Sequence, residues 1–449
     1  MTLRRRRVWL IAILAVALLG ALAVWLVLPT SSLGFAGGGT VPLADYQGPS
    51  PVGVPPELRS ADLVTRGAYL TRAADCVVCH TATGGQPFAG GLPFPTPFGL
   101  IFSPNITADP QTGIGTWSDA EFIRALHEGV RKDGQRLYPA FPYESYTLIT
   151  DDDARAIRAY LFSLPTVRAA PPPNQLAFPF SQRWLMGVWS AFYNPNRRFR
   201  PYPDRSPEWN RGAYLAEALG HCGDCHTPRN LAQAPDNRAK FQGAVTEGWR
   251  AFNITPDRET GVGAWSDADL AQYLQSGHAA GHGSAGGPMA DIVDQSIAGL
   301  TPGDVRALVA YVRSVPPRRE PGLTAPRTTA AAEFPHEALV GADLTGQRIF
   351  AGACASCHGW SGVSQLNDYA TLTGDRTVSD PSAINVAQII VSGAQRRTAD
   401  GMTAMPAFGA AYSDSEIAAV ANYVTRRFGA APSHITAKDV ARLRRSSHG

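Results

Sequence analysis

The chain has 449 residues, 44% of them apolar and 17% charged, and a formal net charge of +3. That length exceeds what one hydrophobic core usually organises, so about two to four domains are expected. The charge gives no sign of a nucleic-acid partner, and 44 Gly with 36 Pro predict short helices separated by many turns and long loops.

At the N-terminus a basic cluster, Arg4 to Arg7, precedes an apolar run from Trp9 to Leu28. A run of about 20 apolar residues is long enough to cross a bilayer as a helix. Residues 8–29 therefore read as a transmembrane anchor or a signal segment. The anchor is preferred because the run exceeds a usual signal core and no clean small-x-small cleavage site follows it, although Gly34 to Gly39 is rich in small residues. With the arginines cytoplasmic, everything from about Pro29 onward is expected outside the inner membrane, in an oxidising compartment.

All six cysteines fall in one repeated pattern: Cys76-Val77-Val78-Cys79-His80, Cys222-Gly223-Asp224-Cys225-His226 and Cys354-Ala355-Ser356-Cys357-His358. With ten histidines in the chain, a His after any given residue is roughly a 1 in 45 event, so three such coincidences are not chance. One helical turn places both thiols beneath the vinyl groups of a heme for thioether formation, and the adjacent His faces the iron. Zinc binding, a redox-active Cys-x-x-Cys or disulfides would account for the cysteines but not for the three histidines. The expected cofactors are thus three covalently bound heme c groups, with His80, His226 and His358 as proximal iron ligands. Their six propionates would make the holoprotein nominally acidic.

A repeat organises the rest. Arg66-Gly67-Ala68-Tyr69-Leu70 begins ten residues ahead of Cys76, and Arg211-Gly212-Ala213-Tyr214-Leu215 begins eleven ahead of Cys222. Downstream, Asn105-Ile106-Thr107 and Trp117-Ser118-Asp119 answer Asn253-Ile254-Thr255 and Trp265-Ser266-Asp267. Ser or Asp in each Trp-Ser-Asp is expected to cap an amphipathic helix carrying Phe122 and Leu126, or Leu270 and Leu274. Closing helices are expected at Asp151 to Leu164, at Thr301 to Val315 and from Ser413 through Val424, each packing on the first helix of its unit. The resulting division is 8–29 anchor or signal, 55–168 first domain, 169–203 aromatic and Pro-rich connector, 204–317 second domain, 318–340 linker, 341–430 third domain and 431–449 basic tail.

Both Pro-rich connectors are expected to be extended surface segments. The first carries Phe178, Phe180, Trp184, Leu185, Trp189, Phe192 and Tyr193, suited to a partner, to the membrane interface or to packing across the protein's own domains. The tail, with Lys438, Arg442, Arg444 and Arg445, is expected to be solvated, or to lie on headgroups or a partner.

Met is the usual second axial ligand of a heme that only carries electrons. Met289, on a loop after Gly286-Gly287-Pro288, is expected to serve the second site. Met405 is preferred over Met402 at the third, because Pro406 stiffens its loop. The first domain has no Met between its motif and closing helix; its loop reads Leu137-Tyr138-Pro139-Ala140-Phe141-Pro142-Tyr143. Its heme is expected to be five-coordinate, bound by His127, or reached by another segment such as Met186.

The three motifs, the doubled Asn-Ile-Thr and Trp-Ser-Asp units, Met405-Pro406-Ala407-Phe408 and the segment Gln182 to Met186 resemble the triheme cytochrome c subunits of membrane-bound bacterial dehydrogenases, over Leu63 to Gly429. The resemblance implies a mainly α fold of three tandem class-I-like cytochrome c domains with long Pro/Gly-rich loops after an N-terminal transmembrane helix. It also implies an electron-transfer subunit, itself without catalytic residues, on the periplasmic face of the bacterial inner membrane. Electrons from a catalytic dehydrogenase subunit would pass to ubiquinone. Alcohol and gluconate members carry Met where this chain has Phe141. That departure, with the anchor, is more similar to the cytochromes accompanying molybdenum-containing aldehyde or N-heteroaromatic dehydrogenases than to PQQ alcohol or FAD gluconate types. The alternatives are a heme enzyme with an open first heme, peroxidase- or reductase-like, and a carrier serving a terminal oxidase.

Overall fold

The computed structural model describes residues 27–331, 342–398 and 401–447, together with Trp9, Leu14, Gly20 and Trp25. The expected transmembrane segment 8–29 lies mostly outside the described residues, and among the described residues no helix is long and apolar enough to cross a membrane.

Three helical units follow one another, and each begins and ends with a helix whose cap is legible in the sequence. In the first unit α1 (Leu63–Ala73) starts at Asp62, whose carboxylate accepts from the Val64 and Thr65 amides. Then come α2 (Asp119–Glu128), capped by Ser118 in a capping box with Glu121, and α3 (Asp151–Ser163), capped by Thr150. These side chains satisfy backbone N–H groups that the first helical turn leaves without partners.

The connector departs from the extended segment expected of it, because it contains α4 (Leu185–Tyr193). Between Trp184 and Tyr193 there is no Pro, and apolar residues recur at helical spacing, so a helix is compatible once neighbours cover one face.

The second unit repeats the first, with α5 (Pro207–Tyr214), α6 (Asp267–Ser276), a short α7 (Pro288–Gln295) and α8 (Pro302–Ser314). The extra residue between its Arg-Gly-Ala-Tyr-Leu segment and its cysteines falls where α5 continues as a wider π turn, Leu215–Leu219. In the third unit α9 (Ala342–Ile349) also runs into a π turn, Phe350–Cys354; α10 (Ile384–Ser392) and α11 (Asp414–Phe428) follow.

First and last helices cross in all three units at backbone contact. A Cβ on Gly67 would overlap the Ala156 carbonyl oxygen and crowd the Tyr160 Cβ; Gly212 stands so against Ala307 and Tyr311, and Gly346 against Ala419 and Tyr423. Only glycine allows that approach.

Strands are confined to short antiparallel ribbons. β1 (Pro93–Thr96) and β2 (Gly99–Phe102) pair in the first unit, joined by β3 (Gln175–Leu176) from the connector. β4 (Ala244–Thr246) and β5 (Trp249–Ala251) are their counterpart in the second. Further hairpins follow α6, as β6 (His278–Ala279) and β7 (Gly283–Ser284), and α10, as β8 (Ala394–Thr398) and β9 (Gly401–Met405).

The two duplicated units share one core. Leu70, Tyr146, Ile149 and Ile157 of the first pack in one cluster with Tyr214, Leu219, Phe241 and Tyr311 of the second, whereas Phe350, Val386, Ile417 and Phe428 build a separate core in the third. Buried polar bonds exchanged between the first two units lock them. Tyr69 donates to Asp304 at 2.6 Å and Tyr214 to Asp153 at 2.6 Å, while the amides of Thr301 and Thr150 donate to the same two hydroxyls.

The C-terminal segment is a correction. Expected as a basic tail that is solvated or lies on headgroups or a partner, residues 437–447 form α12 (Ala437–Ser447), which packs on the third unit through buried Val440 and Leu443. Val440 and Leu443 stand three apart and so on one helical face, and Arg444, counted as a tail charge, instead pairs with Asp414 at 2.9 Å.

Candidate heme sites

Each Cys-x-x-Cys-His motif occupies a short helical turn directly after the first helix of its unit: Cys76–Cys79, Gly223–His226 and Ala355–His358. The three histidines are held alike. His80 Nδ1 donates to the Pro104 carbonyl at 2.8 Å, His226 Nδ1 to the Phe252 carbonyl at 2.6 Å and His358 Nδ1 to the Ala370 carbonyl at 2.6 Å. A proton fixed on Nδ1 leaves Nε2 with its lone pair, as a metal-ligating imidazole requires. Burial pushes all three imidazoles below their ordinary pKa, against the weaker opposite pull of the carbonyl, and so keeps them neutral.

The doubled Asn-Ile-Thr segment explains two of those carbonyls. Pro104 and Phe252 immediately precede Asn105 and Asn253. The Asn105 amide donates to the Val167 carbonyl at 2.7 Å while its oxygen accepts from the Thr107 amide; Asn253 does the same with the Arg318 carbonyl and the Thr255 amide. Each Asn thus pins the loop that presents the carbonyl to the histidine. Sequence reasoning found the repeat but not this use of it.

In the third unit Cys354, Cys357, His358 and Met405 line one cavity of about 280 Å³, walled by Phe350, Val386, Ile390 and Val424. An apolar chamber with two thiols, a neutral imidazole and a thioether fits heme c. Met405 closes β9 rather than sitting on a plain loop, and Met402 is 63% exposed on the same strand. Burial holds the Cys354 thiol at about 11 and the Cys76, Cys222 and Cys225 thiols at about 12.

The middle helices α2, α6 and α10 end at Gly129, Gly277 and Gly393, all at positive φ. Twelve residues beyond them stand Phe141, Met289 and Met405 respectively. Met289 is the second residue of α7, which also packs on the Cys76–Cys79 turn of the first unit. Phe141, in the corresponding place, packs on Tyr146 at 5.3 Å, and the Tyr146 hydroxyl donates to the Ala74 carbonyl. His127 is buried with its Nδ1 3.9 Å from Asp151 and near Arg198, and burial lowers its pKa to about 4. Met186 lies on α4, in the connector.

Between the first two motifs lies a polar cluster that sequence reasoning missed. Asp75 and His221, the residues directly preceding Cys76 and Cys222, both at positive φ, meet across the two units at 3.0 Å. His221 also stands 3.4 Å from Asp224, and the buried carboxylate of half-exposed Glu144 and the Arg229 side chain lie close by. The cysteine spacing gives no signal for this pair; the repeat, which aligns Asp75 with His221, does.

Residues 64–165 and 210–316 match the Cytochrome c family, and residues 341–424 match the family described as Cytochrome C oxidase, cbb3-type, subunit III. The fructose dehydrogenase cytochrome subunit of Gluconobacter japonicus is 38% identical, over 85% of this chain and 82% of its own length. The gluconate 2-dehydrogenase cytochrome c subunit of Pantoea cypripedii is 37% identical, over 85% of this chain and 90% of its own. The chain belongs to the dehydrogenase cytochrome c subunits. This cytochrome subunit is also 39% identical, over 83% of its length, to a nicotinate dehydrogenase subunit of Pseudomonas putida, of which it spans 31%. As a cytochrome c, it carries covalently bound heme.

Proposed function

We propose that this cytochrome subunit holds three heme c groups, takes electrons from a separate catalytic dehydrogenase subunit and delivers them to ubiquinone in the bacterial inner membrane, on its periplasmic face. Cys76, Cys79, Cys222, Cys225, Cys354 and Cys357 form the thioethers; His80, His226 and His358 are the proximal ligands; Met289 and Met405 are the distal ones. Heme bound at these sites supplies a one-electron iron couple. The protein's own part is to fix each imidazole through its Nδ1 donor, to exclude water with apolar walls and to hold the three sites in constant relation.

The observation that carries this reading is the continuity of the sites. The Ser284 to Gly286 segment of the second unit forms part of the wall of the third unit's cavity, while α7 of the same unit packs on the first unit's motif turn. The second unit is therefore central, and no general acid, base or nucleophile is required. An aldehyde-type or N-heteroaromatic dehydrogenase partner is favoured by Phe141 and by the likeness to the nicotinate dehydrogenase subunit.

Purifying the complex from detergent-solubilised membranes through a tag on this chain tests the reading. Three hemes per chain by pyridine hemochrome, a co-purifying dehydrogenase subunit and substrate-dependent reduction of a ubiquinone analogue are expected. A lone chain with peroxide-dependent turnover would overturn it. Phe141 favours that second reading, an open first heme with peroxidase- or reductase-like activity.

A further inference from the structure

The connector helix α4 has two unlike faces. Inward, the Trp189 indole donates to the Ala232 carbonyl of the second unit at 2.8 Å and stands edge-on to Tyr143 of the first at 5.9 Å, and Ser190 is buried. These contacts hold the helix firmly from behind. Outward, Trp184, Val188 and Phe192 stand at i, i+4 and i+8 and are 66%, 54% and 65% exposed; Phe178, just before the helix, is exposed as well. A helix packed on one face and presenting a stripe of large apolar side chains to water on the other marks an interaction surface.

Two further observations say what covers it. The apolar run Trp9 to Leu28 reaches the described fold beside this helix: the Tyr193 hydroxyl, on α4, donates to the Val27 carbonyl at 2.5 Å, and Arg238 donates to the Trp25 carbonyl with its guanidinium 4.0 Å from the Trp25 ring. Charge is one-sided too. Residues 169–203 contain Arg183, Arg197, Arg198 and Arg200 and no Asp or Glu, although Arg198 also meets Asp151 from α3. Aromatic side chains flanked by arginines suit the boundary between acyl chains and anionic headgroups. Nine helical residues extend only ~13 Å, too short to span a bilayer, so α4 would lie in its plane.

We propose that the Trp184, Val188 and Phe192 stripe inserts into the headgroup region of an anionic bilayer, as a membrane contact additional to the N-terminal segment, and so fixes which face of the first two units meets the lipid. This rests on the reading that the chain is membrane-held.

The test places the full-length holoprotein in nanodiscs of phosphatidylethanolamine and phosphatidylglycerol doped with a phospholipid bearing a diazirine on its acyl chain. After irradiation, adducts are mapped by mass spectrometry, and the same is done on the complex purified from native membranes and reconstituted alike. Adducts on the peptide holding Trp184 to Phe192 are expected in both, besides those on the N-terminal segment. Their loss in a Trp184→Ser, Phe192→Ser variant that keeps its heme spectrum and N-terminal adducts is expected as well. Adducts confined to the N-terminal segment would overturn the proposal and leave the membrane-held reading standing, whereas none anywhere would overturn both. Helix adducts present for the chain alone but absent in the complex would assign the stripe to a protein partner and overturn the lipid assignment.

Discussion

Phe141 and Met405 occupy the same place in their units, twelve residues past a glycine-ended helix, and differ in whether they offer sulfur to iron. Phe has no donor atom, so on the proposed ligation the first site lacks the thioether that Met289 and Met405 offer in theirs. Phe141→Met is expected to raise the midpoint potential of one heme in a potentiometric titration. It should also abolish CO binding that in the reduced wild type amounts to about one equivalent per chain. Met405→Leu should lower the potential of a different heme, whereas Met402→Leu, at an exposed position, should leave the titration unchanged. The proposed histidine and cysteine roles are read from the sequence because the motif carries its own chemistry in five adjacent residues. The Pro104, Phe252 and Ala370 carbonyls were not, because a backbone acceptor has no residue identity.

At the level of elements, caps and crossings carry the prediction. Each first helix meets its closing helix through a glycine with no room for a side chain, so Gly212→Val must push the Ala307 backbone away. The expected cost is about 3 kcal/mol, read as a fall in the denaturation midpoint of the holoprotein. Leu443→Ala, on the face of α12 that completes the third core, should cost about 2 kcal/mol, whereas a solvated tail would tolerate it. The capping serines were readable because Ser118, Ser266 and Ser413 are each followed three residues later by Glu or Asp. The helices α4 and α12 were not. In α12 apolar residues are few, and α4, although strongly apolar, has no side-chain cap and lies in a Pro-rich segment; the helicity of both depends on the neighbours they cover.

Across the whole molecule, the junction of the first two units sets the pH behaviour. His221 is paired with Asp75 and Asp224 near Glu144 and Arg229; although burial opposes its charge, the acidic neighbours raise its pKa from 6.5 to about 9. A histidine raised on folding contributes stability that is fully present below pH 6.5 and is lost as pH rises through about 9. Burial raises Glu144 to about 8, with the same sign. Thermal midpoints should therefore fall between about pH 7 and 9. His221→Asn with Glu144→Gln should flatten the curve; an unchanged slope would mean that other groups govern it.

The sequence by itself determined the covalent heme chemistry, the duplication of the first two units and the caps of the middle and closing helices, and it nominated the two candidate methionines, because each depends on residues close together in the chain or on a repeat that doubles the signal. Only the tertiary structure decided that the duplicated units share one core through exchanged Tyr–Asp bonds, that the second unit contacts both of the others, and that α4 shows its aromatic stripe to the outside. Those features arise between residues as far apart as Tyr69 and Asp304, and the free energy that selects them comes from burying surfaces that no local stretch of sequence specifies.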